Sequence, residues 1–519
     1  MALLLALSLV RGFLYLAVVP PWQGPDEPRH FEYARLIADR RRLVTMRDLS
    51  PALQADVLHS MADHDFWRFG FAYYDYDPTR PPRTFEEVWP GDFAHQVHQP
   101  ALYYVGAAIA ALLAPGNDVQ LDLYAMRFYS LLVGLLTLIV VYRAAAELFP
   151  EDAFLRLAIP AFVALLPMNT FLMSMVSNDA LAELLVSVMV WRTIRLLRLG
   201  FTPARAAEVM LWAVLAIFSK LTALVAIPIA LIGILLAWNA RREAAEGAAS
   251  GLNIDRPPPN PPPFHGRGRG GGYPPPLRGG GQGWGQQTAQ GRSRFPRAAR
   301  WLLAVIALGV AGLLLLLSAG SEHPLWSAPA RFLRIPRDVA LYLTGGDYAR
   351  ALLTTPYGTY LVVMFRSFWG LFGWLNVPMA AGLYWFLGGV TALAALGLAR
   401  GFLRARRVAS LPPSQAFVWQ RQAFAWQWRA LWLCALSPVL AVTIVLGKEV
   451  LFLTYLEGGL PHGRYLFPVI LPIACLFVLG LREWVPGPKR GALLVGLLAG
   501  LFLLDAWALW GTIYPFYYG

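Results

Sequence analysis

An all-α, polytopic transmembrane fold is what this sequence predicts, and three observations carry the prediction. Of 519 residues, 57% are hydrophobic and 14% charged, against roughly 25% charged in soluble domains. The mean hydropathy is +0.49. The apolar residues gather in continuous Leu/Ala/Val blocks, many near the ~20 residues that span a bilayer as a helix. A water-soluble multidomain enzyme and a disordered chain are excluded. So is an outer-membrane barrel, which shows short alternating segments instead.

The first block, residues 1–19, lacks a basic n-region and an Ala-x-Ala cleavage site, so it reads as a retained first span and not as a signal peptide. Further blocks run at about 99–114, 124–148, 153–170, 173–196, 207–219, 221–240, 300–319, 374–399, 430–447, 465–482 and 491–512. Only three basic residues are lysine (Lys220, Lys448, Lys489); the rest of the 44 are arginine, many of them in loops. Segments 241–299 and 400–429 are Arg-rich and therefore cytoplasmic by the positive-inside rule. Counting outward from them alternates the spans. With Met1 cytoplasmic, segment 20–98 falls outside, and 99–114 becomes an interfacial helix with an aromatic belt at Tyr103-Tyr104. The count is about eleven spans. The +13 net charge follows from this loop arginine, so nucleic acid is not an expected partner.

Three parts follow. Residues 1–240 form an N-terminal transmembrane module carrying the external loop 20–98, with interfacial helices. Residues 300–519 form a C-terminal transmembrane module. Between them, 241–299 alternates Pro257-Pro258-Pro259 and Gly270-Gly271-Gly272 with arginine and glutamine. That composition buries too little apolar area to offset its ordering entropy, so it reads as a disordered cytoplasmic insertion. Cys434 and Cys475 lie in apolar blocks and suit neither a disulfide framework nor a zinc site.

Candidate chemistry gathers on the external side. Pro25-Asp26-Glu27-Pro28-Arg29-His30-Phe31 sets two adjacent carboxylates between prolines just past the first span. A rigid backbone suits a general base, which must meet its acceptor at hydrogen-bond distance; an anchored loop start is the alternative. If any metal binds, Asp26 and Glu27 are the carboxylates for a divalent cation (Mg, Mn or Ca); otherwise none is assigned. Ser177-Asn178-Asp179-Ala180 opens a helix, where Asp179 is either a cap or part of a buried polar site with Glu183. Lys220 suits a phosphate as a point charge, with snorkelling as the rival role. His462-Gly463-Arg464 opens another helix from outside, where guanidinium and dipole both favour an anion. Trp369, in an aromatic and glycine-rich run, either shapes a groove for a lipid tail or sugar or anchors the interface. Asp505, mid-span, calls for a buried polar partner. His95 and His98, near Asp92, lack a third metal ligand at firm spacing.

Together the acid pair after the first helix, the Gln99-Pro100-x-Leu102-Tyr103-Tyr104 helix and the Ser-Asn-Asp-Ala helix start resemble the GT-C superfamily of integral-membrane glycosyltransferases. Aminoarabinose transferases and protein mannosyltransferases are relatives. A closer resemblance is to a bacterial family of polytopic proteins with Pro-Asp-Glu-Pro-x-His-Phe, Ser-Phe-Trp-Gly-x-Phe-Gly-Trp and Gly-Arg-Tyr-x-x-Pro, here residues 25–31, 367–374 and 463–468. It covers most of the chain outside 241–299, with Ala101 where the related motif often has a second proline.

The resemblance implies transfer of a sugar, with inversion, from a polyprenyl-phosphate donor to a glycan or lipid acceptor of the cell envelope. The reaction would take place at the extracytoplasmic face of the inner or plasma membrane. It maps the acid of the first external loop onto Asp26, or Glu27 beside it, and the donor phosphate onto Lys220 and Arg464, with His462 alongside. His30, Asn178, Asp179, Gln99, Tyr103 and Trp369 complete the expected substrate-binding set. The rival classes are a transporter or flippase of lipid-linked sugar, which would show an internal repeat and a cytoplasm-facing polar path, and a non-catalytic membrane scaffold.

Overall fold

The computed structural model describes residues 1–519 apart from 72–73, 90, 92–93, 117, 250–351, 410–414 and 456–460. Most of the insertion expected at 241–299, the apolar block 300–319 and Asp92 therefore lie outside the described residues. What is described is helical, with one two-stranded hairpin. By length and composition six helices among the described residues can cross a membrane, among them Val119–Leu148, Gly463–Arg482 and Gly487–Tyr518. That is fewer than the roughly eleven spans expected from the apolar blocks. The chain is a membrane protein of the all-α class.

A further helix pair among the described residues is long and apolar enough only when its two bent halves are counted together. Ala153–Leu165 and Pro167–Met173 meet at 63°, because Pro167 has no N–H to continue the helix and holds Leu166 extended (φ −72°, ψ 115°). The sequence alone reads this stretch as one straight block. The Leu102–Leu113 helix has 12 residues, about 18 Å at 1.5 Å per residue, too short for a ~30 Å hydrocarbon core. It packs beside the Glu27–Arg40 helix and the Val119–Leu148 helix.

Buried charges tie the helices together. Arg11 donates to Asp505 at 2.6 Å and to Thr170 at 2.8 Å, while the Tyr15 hydroxyl donates to the other Asp505 oxygen at 2.9 Å. Asp505 has the buried partner that its mid-span position demands.

Two of the sequence motifs are docking devices. Residues 367–374 run from a helix end into the hairpin, with Leu371 opposite Pro378 and Phe372 opposite Val377. Its turn places Gly373 at φ +60°, a backbone region that glycine occupies without strain. At the hairpin tip Trp374 donates its indole N–H to the Trp22 carbonyl at 3.2 Å, and Asn376 donates to the Phe69 carbonyl. The hairpin is thereby locked into the first long loop. The Gly463 amide donates to Ser367 Oγ at 2.7 Å. A Cβ on Gly463 would overlap the Phe368 backbone, so only glycine lets the two motifs approach this closely. That contact fixes where Arg464 points.

Candidate functional site

Asp26 occupies the N-cap position of the Glu27–Arg40 helix without a side-chain cap bond, in the left-handed region (φ 63°), which aspartate tolerates better than most residues and which clusters at functional sites. Its two carboxylate oxygens face different cations. Arg29 takes Oδ1, and Arg464 donates from Nη2 to Oδ2 at 2.5 Å. Arg29 lies against two indoles, with Cζ 5.2 Å from the Trp89 ring and 5.7 Å from that of Trp374. So the three motifs meet: the acid from the first, the aromatic wall from the second, the guanidinium from the third. Burial alone would raise the Asp26 carboxyl, but the Arg29 and Arg464 guanidiniums prevail and hold it well below the usual carboxylate range.

A second ion pair lies in the same field. Asp179, fully buried, accepts from Lys220 Nζ at 2.6 Å and from Ser177 Oγ at 2.9 Å. Lys220 comes where the Pro203–Ser219 helix stops and a 3-10 turn begins. The Tyr465 ring then gathers three cations around it: Lys448 at 4.5 Å, Arg464 at 5.5 Å and Lys220 at 5.6 Å. Glu449 sits 3.6 Å from Lys448. Four cations against three carboxylates leave the cluster one positive charge in excess. Arg464 is 9% exposed, and its Nε and Nη1 are buried with no hydrogen-bond partner among the described residues. Buried guanidinium donors without an acceptor are costly, and an anion would satisfy them.

The remaining expected residues divide. His30 is buried and pushed down to about 3, chiefly by desolvation. It is therefore a neutral imidazole whose Nδ1 pairs with the Tyr104 hydroxyl at 2.8 Å. His462 is likewise held neutral by burial and by Arg464; its Nδ1 accepts the Arg464 amide at 2.9 Å and its Nε2 is unpartnered among the described residues. Asn178 makes no cap bond, and its buried Oδ1 is free of protein partners among the described residues. Tyr103 positions the neighbouring loop: its hydroxyl pairs with Ser130 Oγ at 2.7 Å and accepts the Ser177 amide at 3.0 Å. Gln99 offers its backbone carbonyl to the Tyr33 hydroxyl at 3.3 Å.

Two expectations change. Glu27 does not face the cluster with Asp26. It turns inward, where Arg127 donates to it from Nε at 2.8 Å and from Nη2 at 2.7 Å, and the amides of Val176 and Gly24 donate at 3.0 and 3.3 Å. With every oxygen occupied and no exposure, it anchors the fold and has no lone pair to offer a substrate. Trp369 does not line a groove either. It is 2% exposed and packs edge-on against Phe162, Phe368 and Phe477, because apolar neighbours on three elements enclose it. The carboxylates also fit a metal poorly. Asp26 is spent on two guanidiniums and Glu27 on a third, and a cation between them would be repelled by Arg29 and Arg464. Among the described residues no group of three His, Cys, Asp or Glu gathers to hold a metal ion. His95 instead bridges Glu32 at 2.9 Å and Glu86 at 2.7 Å.

Arg29 and Tyr465 belong to the cluster although sequence reasoning did not assign them to it, and Lys448 joins them beside the Tyr465 ring. For Arg29 the signal was present: it is three residues from Asp26 across one helical turn. Gln23, wholly buried with neither amide atom partnered among the described residues, gave no signal.

The fold and the cluster define a class: an α-helical membrane protein with a buried, cation-rich polar centre where several helix ends meet. The chain belongs to the family described as "Predicted membrane protein (DUF2142)", which matches residues 9–473. No curated protein matches it significantly. Among solved structures it is similar to the apo oligosaccharyltransferase of Archaeoglobus fulgidus, at 13% identity and TM-score 0.40, covering 99% of this chain and 55% of that one. It thus spans about half the length of that enzyme. It is also similar to ArnT of Cupriavidus metallidurans bound to undecaprenyl phosphate, at 16% identity and TM-score 0.32, covering 95% and 78%. At these scores the likenesses carry no argument about activity.

Proposed function

We propose that this protein is a GT-C-like glycosyltransferase. It moves a sugar from a polyprenyl-phosphate donor to a glycan or lipid acceptor of the cell envelope, at the extracytoplasmic face of the inner membrane. The observation that carries the reading is the Asp26–Arg464 pair, an ionised carboxylate on a guanidinium with two buried donors to spare. In this reading the donor phosphate takes those donors, with Lys220 and Lys448 adding charge from beside Tyr465. His462 and Asn178 supply neutral hydrogen-bonding atoms to the sugar-phosphate.

The acceptor hydroxyl attacks the anomeric carbon from the face opposite the phosphate. The carbon–oxygen bond to phosphate breaks, its electron pair leaves on the lipid phosphate, and the hydroxyl proton passes to Asp26. One displacement inverts the anomeric centre. A carboxylate clamped by two guanidiniums is a weak base. A phosphate on the spare Arg464 donors offsets the guanidinium charge that Asp26 feels and raises its basicity only once donor is bound.

The test is turnover by protein in nanodiscs, with radiolabelled polyprenyl-phosphate sugars and envelope-lipid acceptors. Asp26→Asn should still bind donor yet lose about 10²- to 10⁴-fold in transfer, the range of general-base removal. Donor binding without transfer by the wild type would point to a transporter, and indifference to Asp26→Asn would sink the assignment.

A further inference from the structure

The opposite end of the helix bundle holds a second concentration of arginine that the transfer chemistry does not use. From Gly463 to Arg482 the chain climbs a 3-10 turn and a 13-residue helix, about 30 Å of rise. At its far end lies a cavity of about 310 Å³ lined by Arg400, Arg404, Arg482 and Arg490, with Glu483 and Trp484. Two close helix approaches assemble it. A Cβ on Gly397 would overlap the Gly480 carbonyl, and one on Gly480 would overlap that of Ala394. The end of one helix, carrying Arg400 and Arg404, is thus drawn beside Arg482.

The charge there is unbalanced. Asp152 lies 2.6 Å from Arg482 and 3.7 Å from Arg490 in ion pairs, and Glu483 is 3.5 Å from Arg404. Two carboxylates thus answer four guanidiniums. The Nε atoms of Arg482 and Arg490 are buried with no partner among the described residues. Arg400 has its Cζ 5.1 Å from the Trp484 ring, and Arg490 begins a 17-residue helix, whose N-terminal dipole also favours an anion. Planar guanidiniums in this number suit phosphate oxygens.

The surroundings identify the carrier of that phosphate. Leu396 and Leu403 lie within one turn of Arg400 on the same helix and are 61% and 58% exposed; Val495, on the helix that Arg490 opens, is 67% exposed and Trp484 40%. Bare apolar side chains flanking an arginine pocket, with an indole at its rim, offer acyl chains a surface beside the headgroup. We infer that this pocket binds the headgroup phosphate of an anionic phospholipid, independently of the site around Asp26.

The experiment compares full-length wild type with the double variant Arg400→Gln/Arg404→Gln. Both positions are exposed, and folding is checked by the unfolding midpoint in phosphatidylcholine. Native mass spectrometry with added phosphatidylglycerol, phosphatidylcholine or sodium phosphate reads retained ligand. Wild type should hold phosphatidylglycerol in preference to phosphatidylcholine, and the double variant should bind it roughly thirtyfold more weakly, about fivefold per basic residue. Arg242→Gln, an exposed arginine outside the pocket, should bind like wild type. Equal retention of the two lipids, equal loss in Arg242→Gln, or saturation by inorganic phosphate with no lipid preference would each overturn the inference.

Discussion

Asp26 and Glu27 are neighbours in sequence and opposites in structure. Glu27 and Arg127 form a closed pair. Arg127 spends its remaining donors on the carbonyls of Leu16, Val19 and Pro20, at 3.3, 2.9 and 3.0 Å, and neither side chain is exposed. Asp26 and Arg464 form an open pair, bridging residues 438 apart in sequence, with guanidinium donors left over. The same two functional groups thus serve two ends. Where every donor and acceptor is matched, the pair fixes the exit of the first helix against Val119–Leu148. Where donors are left over, the pair is poised to exchange partners. Saturation, and not charge or burial, separates anchor from site.

The largest expected effect falls on the closed pair. Arg127→Met strands a buried Glu27 carboxylate and the three backbone carbonyls of Leu16, Val19 and Pro20. It should destabilise the fold by about 3–5 kcal/mol, the usual cost of breaking a buried ion pair on one side. Thermal unfolding in a fixed detergent measures it. A loss below about 1 kcal/mol would mean that Glu27 finds another partner, and the contrast with Asp26 would fail.

What the sequence made legible follows from the range of its signals. The apolar blocks and the acids and cations at helix ends are local patterns, and among the described residues the structure has helices where the blocks lie, the short Leu102–Leu113 helix included. Asp26, Lys220 and Arg464 stood out because prolines, a lone lysine and a helix start mark them locally. The inward turn of Glu27 was hidden, because it is decided by Arg127, 100 residues away, and by the Val176 amide, 149 away. Trp369 misled for a similar reason: an indole at an interface and one in a core read alike until Phe162 and Phe477 are placed beside it. The 63° break at Leu166 was missed, since the stretch reads as one straight block although Pro167 marks it locally.

The next test sharpens the open pair. Arg464→Lys keeps the charge but removes the planar fork and its spare donors. Asp26 retains Arg29, so the unfolding midpoint should hardly move. Affinity for polyprenyl-phosphate donor should fall by ten- to a hundredfold, the worth of one charge-assisted hydrogen bond of about 1.5–3 kcal/mol. Equilibrium binding of labelled donor reads it. A stability loss as large as that of Arg127→Met would show that Arg464 is a second anchor.

The smallest effect concerns a pair that is closed by a proton. His95 lies between Glu32 and Glu86, and although burial disfavours its charge, the two carboxylates win and raise its pKa above the ordinary histidine value. Glu32 also accepts from Gln54 at 2.6 Å, which in turn takes the Phe85 amide at 3.2 Å, so the imidazolium ties three segments of the first long loop. A raised folded-state pKa means that its stabilisation is complete below about pH 6, near the unfolded value of ~6.5, and fades as pH rises through the folded one. The midpoint difference between wild type and His95→Gln should therefore be largest at pH 5.5 and shrink by pH 8.5, an effect of about 1 kcal/mol. A difference that does not change with pH would mean that His95 is held as a neutral imidazole, closed by hydrogen bonds alone as His30 is with Tyr104.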